Sequence, residues 1–198
     1  AKKAEDNCSH WETFNFYKKI YNLYCKKENN KKNKRDRLEA LLLAFAPLTL
    51  LGMPDESVWV IDKQIELAKQ LGDLSHVSTS YSNKAYYYAH RGESDLSIQF
   101  GEKSFEEAEK SQNLDLMVSS SMAICLTYIT FGGSYKILSI APKVVQLIKE
   151  NKRESDLFSS PISPYTHKGF NSLFQVVVDN DLYQLIQRVL CRYQKRSF

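Results

Sequence analysis

The feature that most constrains the fold is a repeat with a period of about 40 residues. Three glycines, Gly52, Gly92 and Gly132, stand at equal intervals of this length. The same step pairs identical residues at four further positions. These pairs are Ala68 with Ala108, Leu74 with Leu114, Tyr88 with Tyr128, and Asp55 with Asp95. A fixed period of this length is typical of stacked structural units, so we interpret the chain as a repeat protein.

Each repeat unit is predicted to contain two helices. Residues 38–51 form a largely apolar run that stops at Gly52, where glycine can adopt the left-handed conformation that closes many helices. Apolar residues then recur at intervals of three and four over 55–71. Only seven glycines and five prolines occur in 198 residues, which favours helices over strands and turns. The sequence therefore predicts an all-α fold.

The predicted helices form one helical-repeat domain that covers residues 1–198. A single helix at 10–25 precedes the helix pairs, which cover 38–71, 75–111, 114–150 and 165–196. The polar and basic segment 26–37 is predicted to be a solvated, mobile linker. Pro47 is expected to kink or shorten its helix, and Pro142 to mark the start of a shorter helix.

The second helix pair resembles the tetratricopeptide repeat. The segment GESDLSIQFGEKSFEEA at 92–108 is similar to the turn and second helix of that motif. The resemblance implies small residues where the paired helices approach closely, at Ala85, Ser97, Gly101 and Ser104. Lys84 stands where the motif usually has leucine, and Ser97 where it usually has alanine. The fold implied by this resemblance is a right-handed superhelical solenoid of helix hairpins.

Three phrases resemble a narrower family of repeat proteins. LLGMPDESV, IELAKQLGD and AHRGESD, together with the long spacing of the repeat, are similar to the helical-repeat region of large multidomain signalling ATPases. These include ATPases attached to nucleotide cyclases or to LuxR-type regulators, and the resemblance covers 38–150. In that family the ATPase and output domains lie elsewhere in the chain, and no GxxxxGK[ST] sequence occurs here. Because the sequence begins at Ala1 without an initiator Met, we expect a processed piece of a longer protein. The resemblance implies that this longer protein acts in signalling.

The sequence contains no arrangement that is typical of a catalytic or metal site. The four histidines are His10, His76, His90 and His167, and no two of them form a ligand pair such as HExxH. The four cysteines, Cys8, Cys25, Cys125 and Cys191, form no CxxC pair. Cys125 lies in the apolar segment MAICLTYITF, which favours a core thiol over a nucleophile. We therefore expect no enzyme activity, no cofactor, and a reducing, cytoplasmic compartment.

The tetratricopeptide register predicts which residues line the concave surface and bind a partner. The candidate residues are Leu42, Tyr86, His90, Met122, Leu126 and Ile129. Because this surface is largely apolar and uncharged, the leading hypothesis is a protein–protein interaction or regulatory scaffold module. The alternative hypothesis is a sensor domain that binds a small apolar ligand or peptide in the groove. Tyr88, at a repeated position, is expected in the core.

Charge and hydropathy bear on the other classes of partner. The net charge of +4 is a mild excess. The basic segment 26–37 lacks the interleaved aromatic residues that stack on bases, so a nucleic-acid-binding repeat protein is the weaker alternative. No apolar run approaches the roughly 18 residues of a membrane span. The oligomeric state is not assigned.

Overall fold

The structure is a computed structural model that describes residues 9–131 and 136–153. Those residues form seven α-helices and no β-strand, which confirms the predicted all-α fold. The helices are α1 (His10–Cys25), α2 (Lys31–Leu50), α3 (Glu56–Leu71), α4 (Leu74–His90), α5 (Ser94–Ser111), α6 (Leu114–Phe131) and α7 (Ile137–Glu150). Each helix packs against the next one along the chain, and α4 also contacts α6. The predicted helix pair 165–196 lies outside the described residues.

The start of α2 corrects one prediction, because residues 26–37 do not form a long linker. Helix α2 begins at Lys31, and only residues 26–30 connect it to α1. The side chain of Asn30 accepts a hydrogen bond from the backbone N–H of Asn33 at 2.9 Å. An asparagine in this position caps a helix, since it satisfies one of the backbone donors that the first turn leaves unpaired. Lysine and arginine are also good helix formers, so the basic residues extend the helix.

Neither Pro47 nor Pro142 ends its helix. Helix α2 continues past Pro47 to Leu50. A proline removes one backbone donor, but the backbone N–H of Leu51 donates to the carbonyl of Pro47 at 3.0 Å and keeps the last turn closed. Pro142 lies inside α7, which begins at Ile137. The prediction that Pro142 marks the start of a shorter helix is therefore wrong.

The hydrophobic core consists of successive clusters, each shared by helices that are neighbours in the chain. One cluster joins α1 to α4 and includes Phe14, Leu41 and Val60. Another joins α5, α6 and α7 through Phe105, Val118 and Val144, among others. The turns that follow α2 and α4 contain Gly52 and Gly92 with φ angles of +77° and +72°, a conformation that suits glycine.

Helices α4 and α5 cross through small side chains. Ala85 on α4 and Ser97, Gly101 and Ser104 on α5 are all buried. The hydroxyl of Ser97 donates to the carbonyl of Ala85 at 2.9 Å. The hydroxyls of Ser78 and Ser104 donate to each other's backbone carbonyl at 2.8 and 2.9 Å. Small residues thus let the two helices approach until side-chain hydroxyls reach the opposite backbone.

Gly101 also lies against α6. A Cβ atom added at Gly101 would stand 3.3 Å from Cγ1 of Ile124, which is fully buried. This distance is shorter than an ordinary van der Waals contact, so a larger side chain has no room between α5 and α6.

We therefore predict that Gly101→Leu destabilises the protein by about 1–3 kcal/mol through overpacking. Gln99→Leu is the matched control, because Gln99 lies on the same helix and is exposed. Thermal denaturation followed by circular dichroism should show a melting temperature that is lower by several degrees for Gly101→Leu and nearly unchanged for Gln99→Leu. Equal melting temperatures would contradict the close approach of α5 and α6.

Candidate partner-binding surface

An exposed apolar stripe runs along α2. Leu43, Ala46 and Leu50 are spaced by three and four residues, so they lie on one side of the helix. All three are exposed, and Leu43 and Leu50 each keep 47% of their surface open to solvent. Leucines on a helix usually face the core, so a row of exposed apolar side chains marks a surface that is available to a partner.

A corresponding stripe runs along α4. Asn83, Tyr86 and His90 have the same spacing as the stripe on α2. Tyr86 is 44% exposed, and its ring packs edge-on against the ring of His90 with 4.4 Å between their centroids. The contact holds two large planar groups in place on an exposed helix face.

The two stripes occupy positions that are one period of the repeat apart in the sequence. Leu43, Ala46 and Leu50 correspond in this way to Asn83, Tyr86 and His90. We call these six residues the α2/α4 face. Ala46 and Tyr86 are both exposed, as are Leu50 and His90, whereas Asn83 is half-buried opposite the exposed Leu43 in this alignment. Exposure therefore repeats with the period at two of the three pairs of positions.

Only part of the predicted surface coincides with the α2/α4 face. Tyr86 and His90 are exposed as expected. Leu42 is half-buried and packs against the cluster that joins α1 to α4, and Met122 is half-buried against the cluster of α5, α6 and α7. Both side chains therefore contribute to packing. Leu126 and Ile129 lie within α6, but their side chains are outside the described part of the chain.

Sequence reasoning missed Leu43 and Leu50. The segment 38–51 is apolar around most of the helix, so its periodicity does not single out an exposed side. The repeat itself carried the missing signal, because Leu50 lies one period before His90, which was already a candidate.

Three consecutive tyrosines on α4 have three different environments. Tyr86 is exposed, Tyr87 is only 7% exposed, and Tyr88 is half-buried. Tyr88 stacks on Phe100 of α5 with 5.5 Å between the ring centroids. The expectation that Tyr88 fills the core is therefore correct only in part, since Tyr87 is the more deeply buried side chain. Successive residues turn by about 100° around a helix, which places Tyr86 and Tyr87 in different surroundings.

Cys125 has the environment of a core residue. It is buried beside Ile124 and Tyr128, and this burial raises the pKa of its thiol to about 12. A thiol with such a pKa is almost entirely protonated near neutral pH and is a poor nucleophile.

Two of the histidines have structural contacts. The Nδ1 atom of His76 lies 2.8 Å from a carboxylate oxygen of Asp73, and the other oxygen of Asp73 accepts the backbone N–H of His76 at 3.1 Å. This pair caps the start of α4. His90 packs on Tyr86, and His167 lies outside the described residues.

Within 9–131 and 136–153, no three His, Cys, Asp or Glu side chains are placed together to hold a metal ion.

Comparisons of the chain with protein-family models, with curated proteins and with solved structures found no match. None of the described helices has both the length and the apolar character that a membrane crossing requires. The described side chains are therefore the basis for assigning a function.

We predict that Tyr86→Ala leaves the melting temperature nearly unchanged, whereas Tyr87→Ala lowers the free energy of unfolding by about 3–5 kcal/mol. The two variants remove the same side chain from adjacent positions of α4, so the difference between them reports burial alone. Chemical denaturation of both variants measures this difference. A similar loss of unfolding free energy in both variants would show that Tyr86 also packs in the core.

The burial of Cys125 predicts that its thiol reacts slowly with alkylating reagents. Because burial raises the pKa of Cys125 to about 12, its thiolate fraction at pH 8 is on the order of 10⁻⁴. Cys25 is exposed and serves as an internal control. Mass spectrometry of peptides from the native protein treated with iodoacetamide should show Cys25 modified well before Cys125. Comparable modification of both would contradict the burial of Cys125.

Proposed function

We propose that this chain is a protein–protein interaction or regulatory module that binds a protein or peptide partner through the α2/α4 face. The observation that carries the proposal is the exposure of large apolar side chains on two alternate helices, at positions of α2 and α4 that the repeat relates. Leu43 and Leu50 on α2 and Tyr86 on α4 are each 44% exposed or more. Tyrosine is enriched among the residues that contribute most to binding at protein interfaces.

The proposed architecture is a right-handed solenoid of tetratricopeptide-like helix pairs with a period of about 40 residues. Three features support it. Successive helices pack in chain order, α4 also contacts α6, and these two helices begin one period apart, at Leu74 and Leu114. In such a solenoid, equivalent positions of successive units face the same side, which would bring the stripes of α2 and α4 onto one concave surface.

The exposure of these residues favours a large partner over a small ligand. Small-molecule sites are concave pockets that bury most of the ligand between apolar walls. The stripes consist instead of protruding side chains, and the contact between Tyr86 and His90 already holds one of them in position. A partner thus meets groups that lose little conformational freedom on binding. Within a larger cytoplasmic signalling protein, such a surface would act by binding rather than by catalysis.

The test is capture of a partner by the immobilised chain. We expect Tyr86→Ala combined with Leu50→Ser to weaken capture at least about tenfold, because truncation of anchor residues commonly costs about 1–4 kcal/mol of binding. The captured protein is identified by mass spectrometry, purified, and titrated against each variant.

The control is Gln99→Ala combined with Glu106→Ala, which changes two exposed residues of α5 and leaves α2 and α4 intact. Normal binding by the control and weak binding by the first variant would support the α2/α4 face. Equal binding by both variants would exclude this face as the interface. Retention of a small apolar compound in native mass spectrometry, displaced by Tyr86→Ala, would favour the sensor hypothesis instead.

A further inference from the structure

Positive charge is concentrated at the junction of α1 and α2. Residues 18–37 contain nine Lys and Arg against two Asp and Glu, a local net charge of +7 within a chain whose total is +4. Six of these basic side chains are exposed, and we call them the basic corner. They are Lys19, Lys26, Lys27, Lys31, Lys32 and Arg35. The rest of the chain is acidic on balance, so the charge is a property of this surface and not of the whole molecule.

The basic corner belongs to an ordered helix junction. The connection between α1 and α2 spans only residues 26–30. The guanidinium Nε of Arg37 donates to the carbonyl of Tyr24 at 3.2 Å, and the amide of Asn33 donates to the carbonyl of Glu28 at 2.7 Å. These contacts fix the start of α2 against the end of α1. The charges are therefore presented on a defined surface, which lowers the entropic cost of binding.

The charges at the start of α2 oppose the local electrostatics of the helix. The N-terminal end of a helix carries a partial positive charge, which acidic residues complement and basic residues oppose. The first turn of α2 contains no acidic residue, and Lys31 and Lys32 are its first two residues. Helix stability alone does not explain two lysines in the first turn of α2, whereas an anionic ligand bound at this place would.

Exposed apolar side chains share one face of α1 with Lys19 of the basic corner. Leu23 on α1 is 60% exposed, more than any other large apolar side chain that the structure describes, and Phe16 is 46% exposed. Lys19 lies between them on the helix face, and Lys26 and Lys27 follow Leu23 by one turn. The surface therefore combines protruding apolar groups with basic groups.

We propose that this surface binds the anionic face of a lipid membrane. Interfacial helices bind membranes by placing apolar side chains at the boundary of the acyl region while lysines attract anionic headgroups. A nucleic acid would satisfy the positive charge, and Phe16 could stack on a base, but Leu23 is aliphatic and gains nothing from phosphates or from base stacking. The combination of Leu23, Phe16 and the basic corner matches a lipid surface. This inference is independent of the α2/α4 face.

The experiment is cosedimentation of the full chain with vesicles of phosphatidylcholine alone and of phosphatidylcholine with phosphatidylserine. We expect binding to the anionic vesicles only. Lys31→Glu combined with Lys32→Glu should lower the partition coefficient by at least about tenfold. Because acidic residues suit the first turn of a helix, this variant should keep its fold, as circular dichroism will verify.

The matched control is Lys149→Glu combined with Lys152→Glu, which makes the same change in net charge at exposed positions far along the chain. This variant should bind anionic vesicles within about twofold of the unchanged protein, since those lysines lie outside the basic corner. Leu23→Ser should lower binding by about three- to tenfold without altering the melting temperature.

Three results would overturn the proposal. They are equal binding to both kinds of vesicle, equal losses in the two charge-reversal variants, and unchanged vesicle binding by Leu23→Ser. If a single-stranded RNA oligonucleotide binds instead, and Lys31→Glu with Lys32→Glu abolishes that binding while Leu23→Ser does not, the basic corner is a nucleic-acid site and the membrane proposal is wrong.

Discussion

The close crossing of α4 and α5 fixes how α4 is rotated in the fold. Helices that approach so closely need small side chains, and each buried hydroxyl at the crossing needs a hydrogen-bond partner. Ser78 and Ser104 meet both requirements, because each donates to the backbone carbonyl of the other. An unpaired buried hydroxyl would cost about 1–3 kcal/mol, so the rotation of α4 is strongly defined. With that rotation set, Tyr87 turns into the core and Tyr86 stays on the exposed α2/α4 face.

The sequence was sufficient to predict the all-α fold, because its apolar residues recur with helical spacing and Gly52 and Gly92 fall at turns between helices. It was less informative about which residues are exposed. The run at 38–51 offers apolar side chains in most directions, so only the packing of α2 against α1 and α3 shows that Leu43 faces outward. The charge of residues 26–37 predicts a solvated linker, but the side chain of Asn30 accepts the backbone N–H of Asn33 and begins a helix among these basic residues. Local capping chemistry here outweighs repulsion between basic residues.

One helix connects the two surfaces that we assign. Helix α2 contains 20 residues and is therefore about 30 Å long. Its first turns belong to the basic corner, and its second half carries Leu43, Ala46 and Leu50. The proposed membrane site and the proposed protein site thus share one rigid element with a fixed separation. A partner on the α2/α4 face would be held at a defined height above a surface contacted by the basic corner.

The basic residues at the start of α2 have a further consequence for how the protein responds to ionic strength. In the free protein, dissolved salt screens the repulsion among Lys31, Lys32 and their neighbours, and so it stabilises the first turns of the helix. When the protein is bound to an anionic surface, the same salt weakens the attraction between the basic residues and that surface. Folding and binding at this junction therefore respond to salt with opposite signs. Since an anionic ligand also neutralises the repulsion, part of its binding free energy would appear as added stability of α2.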